Sequence, residues 1–346
     1  MTIDAAGPED VAAALALSND AAARGYASFA TEPEPIEAWR AAWERTRTTH
    51  PWLVAREGGR VVGFARASPH RARGGYAWTA EVSVYVDPDR HARGIGRALY
   101  QALVPTLRAQ GYAALLAGIA LPNEASVRLH EAAGFTPAGV HRAVGWKAGA
   151  WRDVGYWELR LHATSAPPLE LRSVASVWPG VLAAHRGEVV LEARGLDDPE
   201  ARALVACLDR ELTALYPEPG ATHFRLDAAE ITGPGALLVA SLAGEPVGCG
   251  AVRPAGAGAM EIKRMYVDPR WRRLGISERI LGALEARAEA EGARRLLLET
   301  GARSEAALSL YTGRGWAPTA PFGEYVGSPT SVCLEKRLSR RASATT

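Results

Sequence analysis

The stretch "VYVDPDRHARGIGRALYQAL", residues 84–103, decides the fold of this chain. Strand-forming residues run up to Val86, Asp87-Pro88 ends the strand, and a basic loop leads to Gly94. The residues after Gly94 have the spacing of an amphipathic helix. A glycine-containing helix N-terminus directly after a strand is typical of an anion site, because its free N–H groups attract negative charge.

The same pattern occurs twice. "YVDPRWRRLGIS", residues 266–277, repeats the strand end, the Asp-Pro step and the glycine loop. Asp87 and Asp268 are 181 positions apart, and further pairs keep that spacing without a gap. These pairs are Gly94 with Gly275, Gly111 with Gly292, His130 with Tyr311, Gly134 with Gly315, Phe135 with Trp316 and Pro137 with Pro318. Solenoid repeats are about 20–50 residues long, so this longer period indicates two duplicated domains.

Length and composition restrict the function classes. The chain has 346 residues, of which 48% are hydrophobic, and this suffices for two ordinary domain cores. A net charge of +2 gives no electrostatic reason to expect nucleic acid or a membrane as partner. Cys207, Cys249 and Cys333 form no CxxC pair, so we expect neither a disulfide framework nor a metal site. Without a signal-peptide pattern or a membrane-spanning stretch, we expect a cytoplasmic protein.

The repeat also predicts the domain organisation. We place the first domain at 1–165, a linker at 166–186 and the second domain at 187–346. The segment "HATSAPPLELRSVASVWPG", residues 162–180, has the Ser, Pro and Ala content of a linker with room for one short helix. The second domain then begins with a strand in "EVVLEARG", residues 188–195.

Within the first copy, the pattern predicts helices and strands that give an α/β (α+β) fold with a mixed sheet. The predicted helices are 8–25, 36–49, 96–111 and 123–134, and the predicted strands are 52–57, 60–67, 76–86, 113–120 and 153–161. Pro105 lies inside the third helix and should kink it.

The loop at residues 91–97 allows three interpretations. A dinucleotide fingerprint needs a third glycine, where Leu99 stands, and a P-loop needs Lys-Ser/Thr, where Arg97-Ala98 stands. The third interpretation is a pyrophosphate loop of the acyl-coenzyme A type. Successive backbone N–H groups would bind the diphosphate, and His91 or Arg93 would add charged hydrogen bonds.

Both halves resemble the GNAT superfamily of acetyl-coenzyme A-dependent N-acetyltransferases. The loop is followed by "NEASVRLHEAAGF", residues 123–135, or "SEAALSLYTGRGW", residues 304–316, as in that superfamily. The first half also resembles the phosphinothricin N-acetyltransferases along almost its whole length, in "SFATEPEPIEAW", "RARGGYAWTAEVSVYVDP" and "HRAVGWKAGAWRDVGYWEL". The second half resembles only the superfamily in general. The resemblance implies two tandem GNAT domains that use acetyl-coenzyme A.

By this resemblance, the coenzyme lies along the strand end, the loop and the start of the helix that follows. The implied residues of the first domain are Val84, Val86, His91, Ala92, Arg93, Gly94, Ile95, Gly96, Arg97, Asn123 and Ser126. Those of the second domain are Met265, Val267, Arg272, Arg273, Leu274, Gly275, Ile276 and Ser277. Ser277 replaces the second glycine of the loop. We expect this replacement to weaken coenzyme binding but not to abolish it.

Acetyl transfer requires a neutral amine, so a proton acceptor is needed. Glu81 stands among apolar neighbours, where burial would raise the pKa of its carboxyl group, and it matches the general base of the resembled family. His130 and Tyr311 occupy equivalent places, and in the superfamily a tyrosine there protonates the departing thiolate. For Glu81 the alternative is an ordinary polar residue on a strand. For His130 the alternative is a structural histidine.

The resemblance also implies a substrate site. Its residues are Phe29, Arg71, Arg73, Tyr76, Tyr85 and Val154, with the two arginines as partners of a carboxylate or phosphinate. In the second domain the position of Glu81 corresponds to Ile262, with Glu261 one residue away. One step along a strand reverses the face, unless a bulge intervenes.

The resulting expectation is an acetyltransferase for the amino group of a small anionic amino acid or analogue. Another amine, such as an antibiotic, a polyamine or a protein N-terminus, is the alternative substrate, with the second domain as a structural or cofactor-sensing module. Because members of the resembled family often form homodimers, we expect either a homodimer or a monomer whose two domains pair internally.

Overall fold

The computed structural model describes residues 1–163, 167–218 and 226–338. The chain forms two compact units, Met1–His185 and Arg186–Thr346. The boundary expected near residue 165 lies outside the described residues, and the division into 1–165, 166–186 and 187–346 stays a prediction. Part of the segment expected to be a linker is helical, and Val174 donates a backbone hydrogen bond to Thr48 of the first unit.

The first unit contains one mixed sheet with helices on both faces. Its strands are β1 (Thr2–Ala5), β2 (Trp52–Glu57), β3 (Arg60–Pro69), β4 (Thr79–Val86), β5 (Ala114–Leu121), β6 (Thr136–Lys147) and β7 (Ala150–Arg160). Its helices are α1 (Val11–Arg24), α2 (Ile36–Thr46), α3 (Ile95–Gln110), α4 (Glu124–Ala132) and α5 (Val174–Arg186).

The strands lie in the order β1-β2-β3-β4-β5-β7-β6, and only β4 and β5 run parallel. That parallel pairing covers Thr79–Glu81 against 114–116, although each strand has eight residues. The two strands therefore diverge beyond Glu81 and leave an opening in the middle of the sheet.

Alternation along β4 separates two apolar clusters. Val82, Val84 and Val86 pack with Leu99 and its neighbours on the α3 side. Tyr85 packs on the opposite face with a cluster that includes Phe64 and residues of α1 and α2. Because successive side chains of a strand point to opposite faces, Glu81 shares the face of Tyr85.

The sequence predictions differ from this fold in strands β1, β4 and β6. Residues 76–78 precede β4, since a short 3-10 turn ends at Tyr76 and β4 begins at Thr79. Strands β1 and β6 were not predicted; β6 is an exposed edge strand whose Gly and Pro content obscures its pattern. Pro105 lies inside α3, which runs from Ile95 to Gln110, and the kink expected there stays a prediction.

The second unit repeats this arrangement. Its strands are β8 (Val190–Arg194), β9 (Ala236–Leu242), β10 (Glu245–Pro254), β11 (Ala259–Val267), β12 (Arg295–Gly301), β13 (Ala317–Pro318) and β14 (Ser331–Arg337). Its helices are α6 (Pro199–Leu215), α7 (Ile276–Ala290) and α8 (Glu305–Gly313). The order is β13-β14-β12-β11-β10-β9-β8, again with one parallel pair, β11 and β12. Among the described residues of the chain, no helix combines the length and apolar character that a membrane span requires.

Candidate functional site

The two glycine loops have the same backbone conformation. Gly94 caps α3 in the left-handed region with φ 80°, and Gly275 caps α7 with φ 72°. Two residues earlier, Ala92 has φ 61° and Arg273 has φ 69°. These residues occupy equivalent positions in the two copies, 181 apart. The repeat seen in the sequence is therefore a repeat of local geometry.

A side chain in each loop is bonded to the end of the preceding strand. The ring nitrogen Nε2 of His91 lies 3.1 Å from the carbonyl oxygen of Val86. At the equivalent place in the second copy, Arg272 donates through Nε to the carbonyl of Val267 at 2.9 Å. Arg272 also forms an ion pair with Glu211 at 2.6 Å. These contacts hold the loop against the strand and engage Nε2 of His91 and Nε of Arg272.

The loop of the first unit is suited to a diphosphate. The first intrahelical bond of α3 runs from the N–H of Ala98 to Gly94, which leaves the earlier N–H groups for an external acceptor. Arg93 and Arg97 are exposed and form no ion pair with any described residue. A Cβ on Gly94 would have open space, so its positive φ is what requires glycine there.

The second glycine of the loop, Gly96, packs closely against α4, and its expected part in coenzyme binding stays a prediction. A Cβ on Gly96 would come within 3.0 Å of Leu129 Cδ2, so this glycine permits α3 and α4 to approach each other. Ser277 takes its place in the second unit, inside α7 and after the left-handed cap. The difference between the two loops therefore concerns side-chain packing and leaves the cap conformation unchanged.

Glu81 lies where the parallel pairing of β4 and β5 ends. The burial expected from its apolar neighbours in the sequence is absent, because 51% of its side chain is exposed. Glu81 is the last residue of β4 that pairs with β5, whereas its pairing with β3 continues on both sides. Its carboxylate oxygen Oε1 lies 2.7 Å from Nδ1 of His70.

The basic loop expected to bind substrate begins at His70. The ring of His70 lies edge-on to Tyr76 with centroids 5.4 Å apart, and the guanidinium of Arg71 lies 5.6 Å from the Tyr76 ring. Arg71, Arg73 and Tyr76 are all exposed. No described residue forms an ion pair with Arg73, so its charge remains available for an anion.

His130 is buried, with 4% exposure, and both of its ring nitrogens are engaged. Nδ1 lies 2.7 Å from the carbonyl oxygen of Ser126, and Nε2 lies 2.8 Å from the hydroxyl of Tyr100. Because the carbonyl can only accept, Nδ1 carries the hydrogen and Nε2 accepts from Tyr100. Burial lowers the pKa of His130, which keeps the ring neutral. These contacts favour the structural alternative, and the expected proton transfer by His130 stays a prediction.

Tyr311, at the equivalent position of the second unit, is also buried, with 5% exposure. Burial raises the pKa of its phenol above the ordinary value, and the nearby Glu299 adds to this effect. The phenol therefore keeps its proton at neutral pH. Its expected function as an acid stays a prediction.

Several other expected substrate and coenzyme residues form contacts within their own unit. Phe29 packs so close to Gly145 that a Cβ there would overlap its ring. Val154 pairs with Ala120 across β5 and β7, and the ring of Tyr85 stacks on Phe64 at 5.3 Å. Asn123 caps α4 by accepting from the N–H of Ser126 at 3.2 Å. In the second unit, the sulfur of Met265 would lie 2.7 Å from a Cβ placed on Gly250.

A bulge in the second unit makes Glu261 the structural equivalent of Glu81. Pairing between β10 and β11 shifts between Cys249 and Ala251, where β11 has one extra residue and Arg264 has φ 58°. The corresponding pairing of β3 with β4 runs without a shift. As a result Glu261 stands opposite Leu297, as Glu81 stands opposite Leu116 in the first unit.

Unlike Glu81, the carboxylate of Glu261 is fully engaged. Its side chain is 3% exposed, Tyr325 donates to Oε1 at 2.6 Å, and Arg253 donates to Oε2 at 2.8 Å. Arg253 also pairs with Glu230 at 2.7 Å. Both carboxylate oxygens are therefore bound within the protein.

Comparison with known proteins agrees with this geometry. The model of the "Acetyltransferase (GNAT) family" matches residues 15–135 and 201–316, one segment in each unit. The chain belongs to the GNAT acetyltransferase family. It is accordingly an acetyltransferase, and its acetyl donor is acetyl-coenzyme A, whose diphosphate the left-handed caps and free N–H groups of both units fit.

Two curated GNAT relatives match the first half. The phosphinothricin N-acetyltransferase of Streptomyces viridochromogenes is 42% identical over 168 residues, which cover 49% of this chain and 91% of the relative. The L-methionine sulfoximine/L-methionine sulfone acetyltransferase of Pseudomonas paraeruginosa is 38% identical and covers 47% of this chain and 96% of the relative. A crystal structure of a phosphinothricin acetyltransferase from Sinorhizobium meliloti in complex with AcCoA is 28% identical, with a TM-score of 0.46, and covers 49% of this chain and 93% of that one.

Three contacts of this GNAT protein were not predicted. His70 was missed because its partner Glu81 is 11 positions away across a hairpin, although its place at the head of the basic loop was visible. Tyr26 donates to the carbonyl of Pro122 at 2.7 Å, and Tyr216 accepts from the N–H of Arg303 at 2.7 Å. Pro122 and Arg303 are equivalent positions, so a tyrosine after the first long helix binds the same junction in each unit.

The described side chains form no ligand set of the kind that a metal ion requires. Within residues 1–163, 167–218 and 226–338, no three His, Cys, Asp or Glu side chains converge on a point where an ion could bind.

Proposed function

We propose that the first unit transfers the acetyl group of acetyl-coenzyme A to the amino group of a small anionic amino acid or analogue, such as phosphinothricin or methionine sulfoximine. One observation carries this proposal. The loop that presents the unpaired Arg73 is bonded through His70 to Glu81, the exposed carboxylate at the opening of the sheet. A cation for the substrate's acid group and a proton acceptor for its amine thus lie on neighbouring segments.

In this proposal the residues have the following roles. The N–H groups after Gly94 bind the diphosphate, and Arg93 and Arg97 supply charge beside it. Arg73 binds the carboxylate or phosphinate of the acceptor, for which guanidinium geometry is well suited. The proton-accepting site is built on Glu81, because only the neutral amine can attack an acyl carbon. Acetyl-coenzyme A supplies the activated acetyl group as a thioester.

For the second unit we propose coenzyme binding without the same acid–base chemistry. The left-handed cap at Gly275 reproduces the anion-binding geometry of Gly94. However, Arg253 and Tyr325 occupy both oxygens of Glu261, the carboxylate equivalent to Glu81. This contrast favours a structural or cofactor-sensing function over a second enzyme of the same specificity.

The experiment is a thiol-release assay on the full chain with acetyl-coenzyme A and a panel of amines. Phosphinothricin, methionine sulfoximine and methionine sulfone are the anionic acceptors, and spermidine and an amino acid amide are the matched acceptors without an acid group. We expect turnover with the anionic group at least about tenfold above that of the others. Preferential acetylation of spermidine or of the amide would contradict the proposal.

Location and assembly remain proposals. We infer a cytoplasmic enzyme, because its coenzyme is a metabolite of that compartment, and either a homodimer or a monomer with internally paired domains. Sedimentation of the full chain at two concentrations distinguishes the two forms.

A further inference from the structure

The pairing of β3 with β4 sets His70 beside Glu81. Ser68 pairs with Glu81, and Pro69 pairs with Ala80, so His70 lies two positions beyond Ser68 on the same face. In an antiparallel pair this diagonal neighbour is within reach of a long side chain. The distance of 2.7 Å between Nδ1 of His70 and Oε1 of Glu81 is that of a strong hydrogen bond.

This hydrogen bond determines which ring nitrogen is available. An ionised carboxylate only accepts hydrogen bonds, so Nδ1 of His70 carries the hydrogen that it donates to Glu81. In the neutral ring Nε2 then holds the lone pair. No residue within the described ranges forms a hydrogen bond with Nε2. The arrangement is that of a base oriented by a carboxylate, in which the outer nitrogen is free to accept a proton.

The surroundings hold the ring in place without enclosing it. Tyr76 packs against the ring edge-on at 5.4 Å, and 18% of the His70 side chain is exposed. The charged groups that face the pair are Glu81 itself, on β4, and Arg71, which lies beyond the ring of Tyr76. A ring that gains a proton at Nε2 would therefore still face a carboxylate at hydrogen-bond distance.

We propose that His70 and Glu81 act as one proton-accepting pair, in which Nε2 of His70 takes the proton of the acceptor ammonium while Glu81 orients the ring. The proposal rests on the proposed function of the first unit. One ammonium proton passes to Nε2 and then to solvent. The neutral nitrogen bonds to the acetyl carbon, the carbon–sulfur bond breaks, and the second nitrogen proton ends on the released thiol.

The test measures kcat and KM of the full chain for phosphinothricin between about pH 5 and pH 9, at saturating acetyl-coenzyme A. In His70→Gln an amide can still donate to Glu81, but the accepting nitrogen is lost. We expect kcat at neutral pH to fall roughly 10²-fold, the acid limb of the kcat profile to move to lower pH, and KM to change only a few-fold. His185→Gln, at the exposed end of α5, is the matched control and should keep the parent profile.

A parent-like kcat profile in His70→Gln would overturn the proposal, as would a rise in KM alone, since the histidine would then only hold the substrate loop. A readout independent of the substrate is the NMR signal of the His70 ring, identified by its loss in His70→Gln. Its ring ¹⁵N shifts should report a single Nδ1–H tautomer in the parent and a mixture of the two tautomers in Glu81→Leu, which lacks the accepting carboxylate. An unchanged tautomer in Glu81→Leu overturns the pair even if acetyl transfer is observed. If no amino acid is acetylated but the tautomer changes, the pair stands and the proposed substrate class fails.

Discussion

Glu81 and Glu261 occupy the same position in two parallel strand pairs, opposite Leu116 and Leu297, but only Glu81 is exposed. The bulge at Arg264 offsets the one-residue shift between the two sequences and restores the face of the carboxylate. Arg253 and Tyr325 then close the second site. Duplicated domains have thus kept a carboxylate in place while changing what it can do.

Glu261→Gln should destabilise the second unit and leave acetyl transfer by the first unit intact. The loss should be about 1–3 kcal/mol, because Arg253 loses one buried carboxylate partner but keeps Glu230. Urea unfolding measures the loss, and the thiol-release assay should stay within about twofold of the parent. Glu278→Gln, on the exposed surface of α7, is the control. A large loss of activity at unchanged stability would show that Glu261 takes part in the reaction.

Glu81→Gln should lower kcat at neutral pH by roughly 10²–10⁴, as expected when a proton-accepting site is lost. Binding of acetyl-coenzyme A, measured by calorimetry, should be unchanged, because the coenzyme loop lies at the other end of β4. Turnover like that of the parent would remove Glu81 from the mechanism.

Arg73→Ala should raise the KM for anionic acceptors about 30-fold, with little effect on the KM for acetyl-coenzyme A. A charge-assisted contact of this kind contributes on the order of 2 kcal/mol. Arg40→Ala, on the exposed face of α2, is the matched control. Equal changes in both constants would mean that Arg73 does not bind the acid group of the acceptor.

Gly94→Val should weaken coenzyme binding in the first unit by at least about tenfold. A side chain at φ 80° costs about 1–2 kcal/mol and distorts the anion-binding N–H groups. Calorimetry should show two coenzyme sites in the parent. Gly94→Val should lose the site of the first unit, and Gly275→Val should lose the site of the second unit. A single site in the parent, lost with Gly94→Val, would leave the second unit as a structural partner.

His50 should make the stability of the first unit depend on pH. Burial lowers the pKa of His50 from 6.5 to about 4. Since the unfolded chain binds this proton more readily, the contribution of the neutral ring is present above pH 6.5 and is lost as the pH falls through about 4. The urea midpoint of His50→Gln should therefore fall less than that of the parent between these pH values. Parallel curves would contradict the assignment.

Local backbone features could be read directly from the sequence. The repeat, the Asp-Pro strand end and the glycine before each helix depend on residues that are adjacent in the chain, and the helices begin directly after Gly94 and Gly275. The family resemblance followed from the same stretches. A left-handed helix cap favours glycine for reasons of local backbone geometry, so its position can be predicted from the sequence without knowledge of the rest of the fold.

Only the tertiary structure decided how the candidate site residues are used. Apolar neighbours in the sequence suggested a buried Glu81, but its side chain is 51% exposed, and the pairing of β3 with β4 brings His70 to it. His130 resembled a catalytic residue in the sequence, whereas its burial against Tyr100 favours a structural one. Exposure, strand register and hydrogen-bond partners depend on residues far apart in the chain, and a pattern of neighbouring residues does not encode them.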